Sequence, residues 1–349
     1  MILSPRWTLC AAVLVLPLAA HGAERFEPAD GKTLLIVGQE RAEIARYWSD
    51  VGPAAGYMLY GSLPALDGIR EPARGSGCSD SGWMDFGDWV RNYPDTVAQV
   101  GLYLVDVTER VAAGELDAVV TELGRILRES RKPVFLRIGY ECDGPWNHYQ
   151  PDSYKRAFRR ISDILRGRGV GRAPRSGPVT NVALVWHSAA YATHRGQPLE
   201  AWYPGDDVVD WVAVSWFAWP RPEEDAIAAA ARDRVAAFAR QHRKPLMIAE
   251  AAPKAYFQAD APDAWAGWHA KVFAWIEQND VKAYSHINQD WNALPQWTAA
   301  CGQGDWGDTR VQKPGSRVLE AWRDETRKPR WLKQGPGLFP AIGFVPEPR

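Results

Sequence analysis

Residues 131–141 read Arg-Lys-Pro-Val-Phe-Leu-Arg-Ile-Gly-Tyr-Glu, and residues 243–250 read Arg-Lys-Pro-Leu-Met-Ile-Ala-Glu. Each stretch starts with the same basic tripeptide, continues as a short apolar run and finishes on a glutamate. Apolar runs without polar alternation are typical of parallel strands that are buried on both faces. The two stretches therefore predict two equivalent buried strands that end in Glu141 and Glu250.

Similar apolar runs recur along the chain and alternate with helical patterns. With the two runs above, at 133–138 and 246–249, they lie at residues 33–37, 56–60, 100–105, 182–186, 211–216 and 283–287. Helices are predicted at 116–127, after Asp152-Ser153, from Pro222 to near His242, and at 265–278. Eight such units predict an α/β fold, a single-domain (β/α)8 TIM barrel. The alternative, a doubly wound sheet, has no phosphate-binding glycine motif here to support it.

The composition excludes several classes of protein. The chain of 349 residues has 46% hydrophobic and 24% charged residues, which are ordinary globular proportions. Its 41 Lys and Arg residues against 42 Asp and Glu residues leave a net charge of -1, so no basic excess is available to neutralise a nucleic acid. The 18 tryptophans are the outlier, and they point either to flat stacking faces or to an aromatic core.

The amino terminus resembles a secretory signal. Residues 1–23 contain Arg6, an apolar run at 9–20 that is short for a membrane span, and small residues for cleavage. We expect residues 24–349 to form the barrel domain, with a surface tail after Lys328. The protein is then secreted or periplasmic, without membrane association after cleavage.

The cysteine count leaves disulfide pairing open. Cys10 lies in the signal, and Cys78, Cys142 and Cys301 remain, so that one bond at most can form. No His or Cys spacing indicates a metal site. We expect no cofactor, no metal and a monomer.

The two strand-ending glutamates carry the chemical prediction. The active sites of TIM barrels lie at the carboxyl ends of the strands, where strands four and seven face each other across the mouth. Glycosidic cleavage needs one protonated carboxyl and one ionised carboxylate, and different environments separate their pKa values. A salt bridge at the rim is the alternative for either residue alone.

Other candidates lie near the same strand ends. Arg137 is a cation inside an apolar strand, so it needs a carboxylate partner, either Glu250 or Glu141 or a structural one. His187 ends strand five and is either a sugar contact or a satisfied core histidine. The remaining candidates are aromatic or amide side chains suited to stacking on sugar rings or bonding their hydroxyls: Trp146, Asn147, Trp216, Trp219, Asn288 and Trp291.

Several segments together resemble glycoside hydrolase family 26, the β-mannanase family, within the clan of retaining (β/α)8 glycosidases. They are FLRIGYE at 135–141 with DGPWN at 143–147, VWHS at 185–188, WYPGD at 202–206 with DWV at 210–212, and MIAE at 247–250. The resemblance implies that Glu141 is the general acid/base, that Glu250 is the nucleophile, and that the substrate is a β-linked polysaccharide, mannan first.

Two positions depart from the family pattern. Tyr140 stands where mannanases of the family usually have a histidine before the acid/base. Trp216 ends strand six, where a tyrosine often orients the nucleophile. These departures keep open the alternative of a catalytically inactive barrel that binds polysaccharide.

Overall fold

The computed structural model describes residues 25–72, 85–169, 177–191, 198–219, 221–298, 301, 304 and 306–346. The predicted signal peptide lies outside these residues, as does Cys78. Cys142 is a buried free thiol, and Cys301 is disulfide-bonded. No helix among the described residues is both long and apolar enough to cross a bilayer.

Eight parallel strands close into a barrel. They are β1 (Thr33–Gly38), β2 (Gly56–Ser62), β3 (Val97–Tyr103), β4 (Val134–Ile138), β5 (Val182–Ser188), β6 (Trp211–Phe217), β7 (Leu246–Ala252) and β8 (Ala283–Ile287). Each pairs with its neighbours in chain order, and β1 closes the ring by pairing with both β8 and β2. The predicted single-domain TIM barrel is confirmed, although β3 begins three residues earlier than expected and β7 ends three residues later.

Helices cover the outside of the barrel. They are α1 (Arg41–Asp50), α2 (Phe86–Asn92), α3 (Thr108–Ala113), α4 (Asp117–Ser130), α5 (Pro151–Leu165), α6 (Pro222–Gln241), α7 (Ala270–Gln278), α8 (Leu319–Thr326) and α9 (Leu338–Ala341). In α5 the buried residues Tyr154, Phe158 and Ile161 recur at helical spacing, as the sequence pattern predicted. The helix predicted at 265–278 is instead a π-helical turn, Trp265–His269, that continues into α7.

The barrel interior changes from apolar to polar toward its carboxyl end. Large apolar side chains such as Phe135 and Trp211 fill the lower part, with their rings 5.0 Å apart. Nearer the carboxyl ends of β4 and β5, Arg137 and His187 point into the same interior and are fully buried. The interior therefore has a polar layer just below the mouth and apolar layers beneath it.

The carboxyl-terminal segment differs from the predicted surface tail. A short strand, β9 (Trp331–Leu332), pairs with β1. Beyond it Leu338, Ile342 and Phe344 are buried, and the ring of Phe344 lies 5.5 Å from that of Phe26. Because the open lower end of the barrel exposes apolar side chains, the tail packs there with Phe26 and closes it.

Two buried histidines lie between the barrel and α8. His269, at the end of the π-helical turn, and His286, on β8, have ring centroids 5.9 Å apart, and both contact Trp322. Both nitrogens of His269 and Nε2 of His286 have no hydrogen-bond partner among the described residues. Burial lowers the pKa of His286 to about 3. Burial, and then the repulsion that a protonated His286 would exert, lower the pKa of His269 well below its ordinary value. Both rings are therefore neutral at pH 7.

This pair makes stability depend on acidity. The unfolded chain takes up these protons near pH 6.5 and the folded chain does not, so the contribution of this pair to the free energy of unfolding falls as the pH drops below 6.5. The expected slope is about 1.4 kcal/mol per pH unit for each histidine. Urea denaturation between pH 8 and pH 4.5 measures it. His269→Gln should flatten the slope and exposed His148→Gln should not; equal slopes in wild type and His269→Gln would contradict the explanation.

Candidate active site

The end of β4 turns sharply so that Glu141 points into the mouth. Gly139 has φ +56°, and a Cβ there would lie 2.8 Å from the ring of Tyr154, so this turn requires glycine. Glu141 itself has φ +50°, a conformation that is uncommon for residues other than glycine. The Asn147 side-chain amide holds the turn by donating to the carbonyls of Tyr140 (2.9 Å) and Glu141 (3.0 Å).

A β-bulge in β7 aims Glu250 into the barrel. In the pairing with β6, β7 advances two residues, from Ile248 to Glu250, while β6 advances one. In the pairing with β8, β7 advances three residues, from Ile248 to Ala251, while β8 advances two. The strand therefore has one extra residue at Ala249. Met247 faces the interior and Ile248 faces the helices, so strict alternation would turn Glu250 toward the helices. The extra residue restores an inward direction.

Glu250 is held by a cation and a phenol. Its Oε1 accepts hydrogen bonds from Arg137 Nη1 and from the Tyr60 hydroxyl, the latter at 2.8 Å. The guanidinium is fully buried and lies 4.9 Å from the centre of the Tyr60 ring. Gly101 on β3 makes room for both groups, because a Cβ there would lie 2.6 Å from the Tyr60 ring. Glu250 therefore forms an ion pair with Arg137 inside the barrel.

Glu141 lies in a different environment. Ser215 donates to its Oε1 at 2.6 Å and the Trp146 indole donates to its Oε2 at 2.8 Å, so its direct partners are neutral. Burial, and then the negative charge of Glu250, raise the pKa of Glu141 to about 8. Glu141 therefore holds a proton at neutral pH, while the Arg137–Glu250 ion pair carries the charge.

A chain of hydrogen bonds joins the two carboxyl groups. Arg137 Nη1 lies 3.3 Å from Nδ1 of His187, whose Nε2 lies 3.0 Å from the hydroxyl of Ser215. The guanidinium can only donate hydrogen bonds, and the Ser215 hydroxyl already donates its hydrogen bond to Glu141. His187 must therefore accept a hydrogen bond at Nδ1 and donate one at Nε2. Burial, then the charge of Arg137, lower the pKa of His187 well below its ordinary value, which keeps the ring in this neutral form.

Three predicted sugar contacts are buried away from the cleft. Trp216 faces outward from β6 and packs on Trp275 and on the Arg232 guanidinium, 3.9 Å from its ring centre, so the predicted sugar contact at Trp216 is corrected. Asn288 bonds to Gln312 and to the backbone of Val311, and it supports the following loop. Trp291 is 1% exposed beneath Trp297 and Trp306.

Exposed aromatic side chains lie on the loops that follow the strands. Trp146, after β4, is 50% exposed, and Trp219, after β6, is 44% exposed, in agreement with their predicted positions at the rim. Tyr256, after β7, is 43% exposed and was not among the candidates. Apolar faces at a barrel mouth are suited to the C–H faces of sugar rings.

Sequence reasoning missed Tyr60 and Ser215, although they bond the two carboxyl groups directly. Tyr60 lies near the carboxyl end of β2 and has a polar tip, and a polar side chain near a strand end is the feature that singled out Glu141 and Glu250. Ser215 is a hydroxyl in the otherwise apolar run of β6. Among the described residues no group of three or more His, Cys, Asp or Glu side chains is placed to hold a metal ion.

A closed (β/α)8 barrel with two glutamates at its carboxyl-end mouth defines the class of (β/α)8 glycoside hydrolases. Among curated proteins, a β-1,3-xylanase of an Alcaligenes species is 30% identical over 353 residues, 94% of this chain and 70% of that protein. The β-1,3-xylanase TXYA of a Vibrio species is 30% identical over 350 residues, 93% of this chain and 71% of that protein. The chain belongs to glycoside hydrolase family 26. No family model matches it.

Solved structures of similar fold come from the same family. An endo-β-1,4-mannanase double mutant of Cellulomonas fimi has a TM-score of 0.63 at 18% identity, covering 90% of this chain and 75% of that chain. A family 26 β-mannanase of Bacteroides ovatus has a TM-score of 0.56 at 16% identity, covering 87% and 91%. At these identities the likeness concerns the fold.

Removing the Tyr60 hydroxyl tests the environment of Glu250. Tyr60→Phe deletes a hydrogen bond to a buried charged group, which is worth roughly 1.5–3 kcal/mol, and should lower kcat/KM about 10- to 100-fold on a β-glycan that the wild type cleaves. Tyr57→Phe is the matched control, since Tyr57 is buried on the same strand and its hydroxyl has no partner among the described residues. Equal activity of the two variants would contradict the assignment.

Removing the Ser215 hydroxyl tests the environment of Glu141. The Ser215 hydrogen bond stabilises the ionised form, so Ser215→Ala should raise the pKa of Glu141 further. The alkaline limb of the pH–rate profile, expected near 8 in the wild type, should therefore move to higher pH. An unchanged limb, or one displaced to lower pH, would show that Ser215 does not influence the pKa of Glu141. Steady-state rates from pH 5 to 10 measure it.

Proposed function

We propose that the protein is a retaining hydrolase of a β-linked polysaccharide, with Glu141 as general acid/base and Glu250 as nucleophile. The observation that carries the proposal is the unequal environment of two buried carboxyl groups at one barrel mouth. Glu250 accepts hydrogen bonds from a guanidinium, while Glu141 is bonded by neutral donors and has a raised pKa. A nucleophile must be ionised and an acid must be protonated.

In the first step the Glu141 carboxyl gives its proton to the glycosidic oxygen as the bond to the anomeric carbon breaks. The Glu250 carboxylate attacks that carbon from the other face and forms a glycosyl ester. In the second step Glu141, now ionised, takes a proton from water, and the water oxygen displaces Glu250. Both carboxyl groups return to their starting forms, and the product keeps its β configuration.

For the substrate we propose β-1,3-xylan in place of the mannan that the resemblance first implied. The two curated relatives that align along almost the whole chain are β-1,3-xylanases. The rings of Tyr60 and Tyr103 lie 5.1 and 6.1 Å from that of Tyr140, so bulky aromatic side chains cluster around Tyr60, which bonds Glu250. Xylose has no hydroxymethyl group at C5, so it needs less room there than mannose or glucose.

The exposed aromatic side chains support cleavage within a long chain. Trp146, Trp219 and Tyr256 lie on three different loops of the mouth and offer stacking faces beyond the catalytic pair. A polymer needs such an extended surface, whereas a terminal sugar needs a closed pocket. Secretion, expected from residues 1–23, fits an enzyme that acts on an extracellular polymer.

A panel of glycans tests the proposal. The wild type should release oligosaccharides from β-1,3-xylan, and more slowly or not at all from β-1,4-mannan, β-1,4-xylan and mixed-linkage glucan. Glu141→Ala and Glu250→Ala should each lose at least about 10³-fold in rate, because each removes one of the two groups that do the chemistry.

Reducing-end assays and chromatography of the products measure the outcome. Preferred cleavage of mannan would replace the proposed substrate and keep the reaction. Binding of a glycan, seen as a raised melting temperature, with no hydrolysis of any member of the panel would favour the inactive binding barrel. Full activity in both alanine variants would exclude the assigned pair.

A further inference from the structure

Gln99 is a buried amide in the middle of the barrel that the reaction does not use. It lies on β3, is fully buried, and is in register with Met58 on β2 and Phe135 on β4, both apolar and buried. Its Nε2 donates across the interior to the carbonyl oxygen of Ala249 at 2.9 Å, and lies 3.4 Å from Met247 Sδ. Its Oε1 has no hydrogen-bond partner among the described residues.

The acceptor is the residue that the β7 bulge adds. Ala249 has no register partner on β6 or on β8, whereas Ile248 has one on each and Glu250 is paired with Ser215. A bulge leaves its extra residue outside the ladder of the sheet. The Gln99 amide therefore supplies, from the opposite side of the barrel, a hydrogen bond to a peptide group that directly precedes Glu250.

Packing does not explain a glutamine at this position. A methionine or leucine would fill the same layer between Met58 and Phe135 without leaving a buried amide oxygen unpaired, a situation that opposes folding. What glutamine adds is one N–H donor that reaches the Ala249 carbonyl. The chemistry of the position therefore points to the bulge.

We propose that Gln99 is a positioning residue that fixes the β7 bulge and thereby sets the direction of the Glu250 carboxylate. This inference rests on the proposed role of Glu250 as nucleophile. Gln99 acts through the Ala249 peptide and does not touch the substrate. Since attack requires the carboxylate oxygen to lie in line with the anomeric carbon, a small displacement of the strand reduces the rate of attack more than it reduces sugar binding.

Gln99→Met tests the proposal because it keeps the volume of the side chain and removes the donor. The expected result is a fall in kcat of about 10- to 100-fold, with KM changed by less than about twofold. Met58→Leu is the matched control, since it alters packing in the same layer without touching the Ala249 carbonyl, and its kcat should stay within about twofold of wild type.

Gln99→Glu provides a readout that a purely structural role would not change. A protonated carboxyl can donate to the Ala249 carbonyl, and a carboxylate cannot. The ratio of Gln99→Glu to wild-type kcat should therefore be highest at acidic pH and fall as the introduced carboxyl ionises. A ratio that does not vary with pH, together with a Gln99→Met kcat equal to that of Met58→Leu, would overturn the proposal.

A crystal structure of Gln99→Met separates this inference from the proposed function. If the wild type cleaves glycans and Gln99→Met behaves like the control, only the Gln99 inference fails. If the wild type cleaves none of the panel, the proposed function fails, and the variant's coordinates then decide the structural part. A displaced bulge and a redirected Glu250 carboxylate support the role of Gln99, and an unchanged β7 overturns it.

Discussion

The buried ion pair between Arg137 and Glu250 is the constraint on which the site depends. A guanidinium inside a barrel must have a carboxylate partner, because its charge is otherwise taken out of water without compensation. The pair is formed by residues on β4 and β7, which are three strands apart in the ring. Once this cation is bonded to Glu250, the second carboxyl group nearby is placed beside a negative charge. Glu141 is therefore the group that keeps the proton.

The rest of the mouth serves to make the two carboxyl groups unequal and to hold them in place. Hydrogen bonds through His187 and Ser215 link Arg137 to Glu141, and each of them has a fixed donor and acceptor. Both glutamates depend on local departures from regular backbone: a left-handed residue after β4 and an extra residue within β7. Such departures are common where a fold must aim a side chain, and the closed sheet around them supplies the rigidity that they need.

The sequence was sufficient for those features that depend on composition and strand order. Eight apolar runs predicted the barrel, and the repeated pattern at 131–141 and 243–250 singled out Glu141 and Glu250. Arg137 was recognised because a cation in an apolar strand requires a partner. These inferences need no knowledge of which way any one side chain points.

What the sequence did not predict depends on side-chain direction. Trp216 looked like a cleft residue because it lies near a strand end, but alternation along β6 turns it toward α6 and α7 and turns Ser215 inward. Strict alternation would likewise have turned Glu250 outward, since a bulge leaves no mark in the local sequence. Tyr60 reaches Glu250 from β2, a contact between residues 190 positions apart that only the closed barrel reveals. Burial of the carboxyl-terminal segment was missed for a different reason, since only the folded barrel shows an open lower end.

Trapping the covalent intermediate distinguishes the glutamate that attacks from the glutamate that holds the proton. A 2-deoxy-2-fluoro-xylobioside with an activated leaving group forms the glycosyl ester and slows its hydrolysis. Peptide mass spectrometry of the inactivated enzyme should then find one sugar on Glu250 and none on Glu141. A label on Glu141, or turnover of the reagent with inversion and without any labelled peptide, would contradict the account.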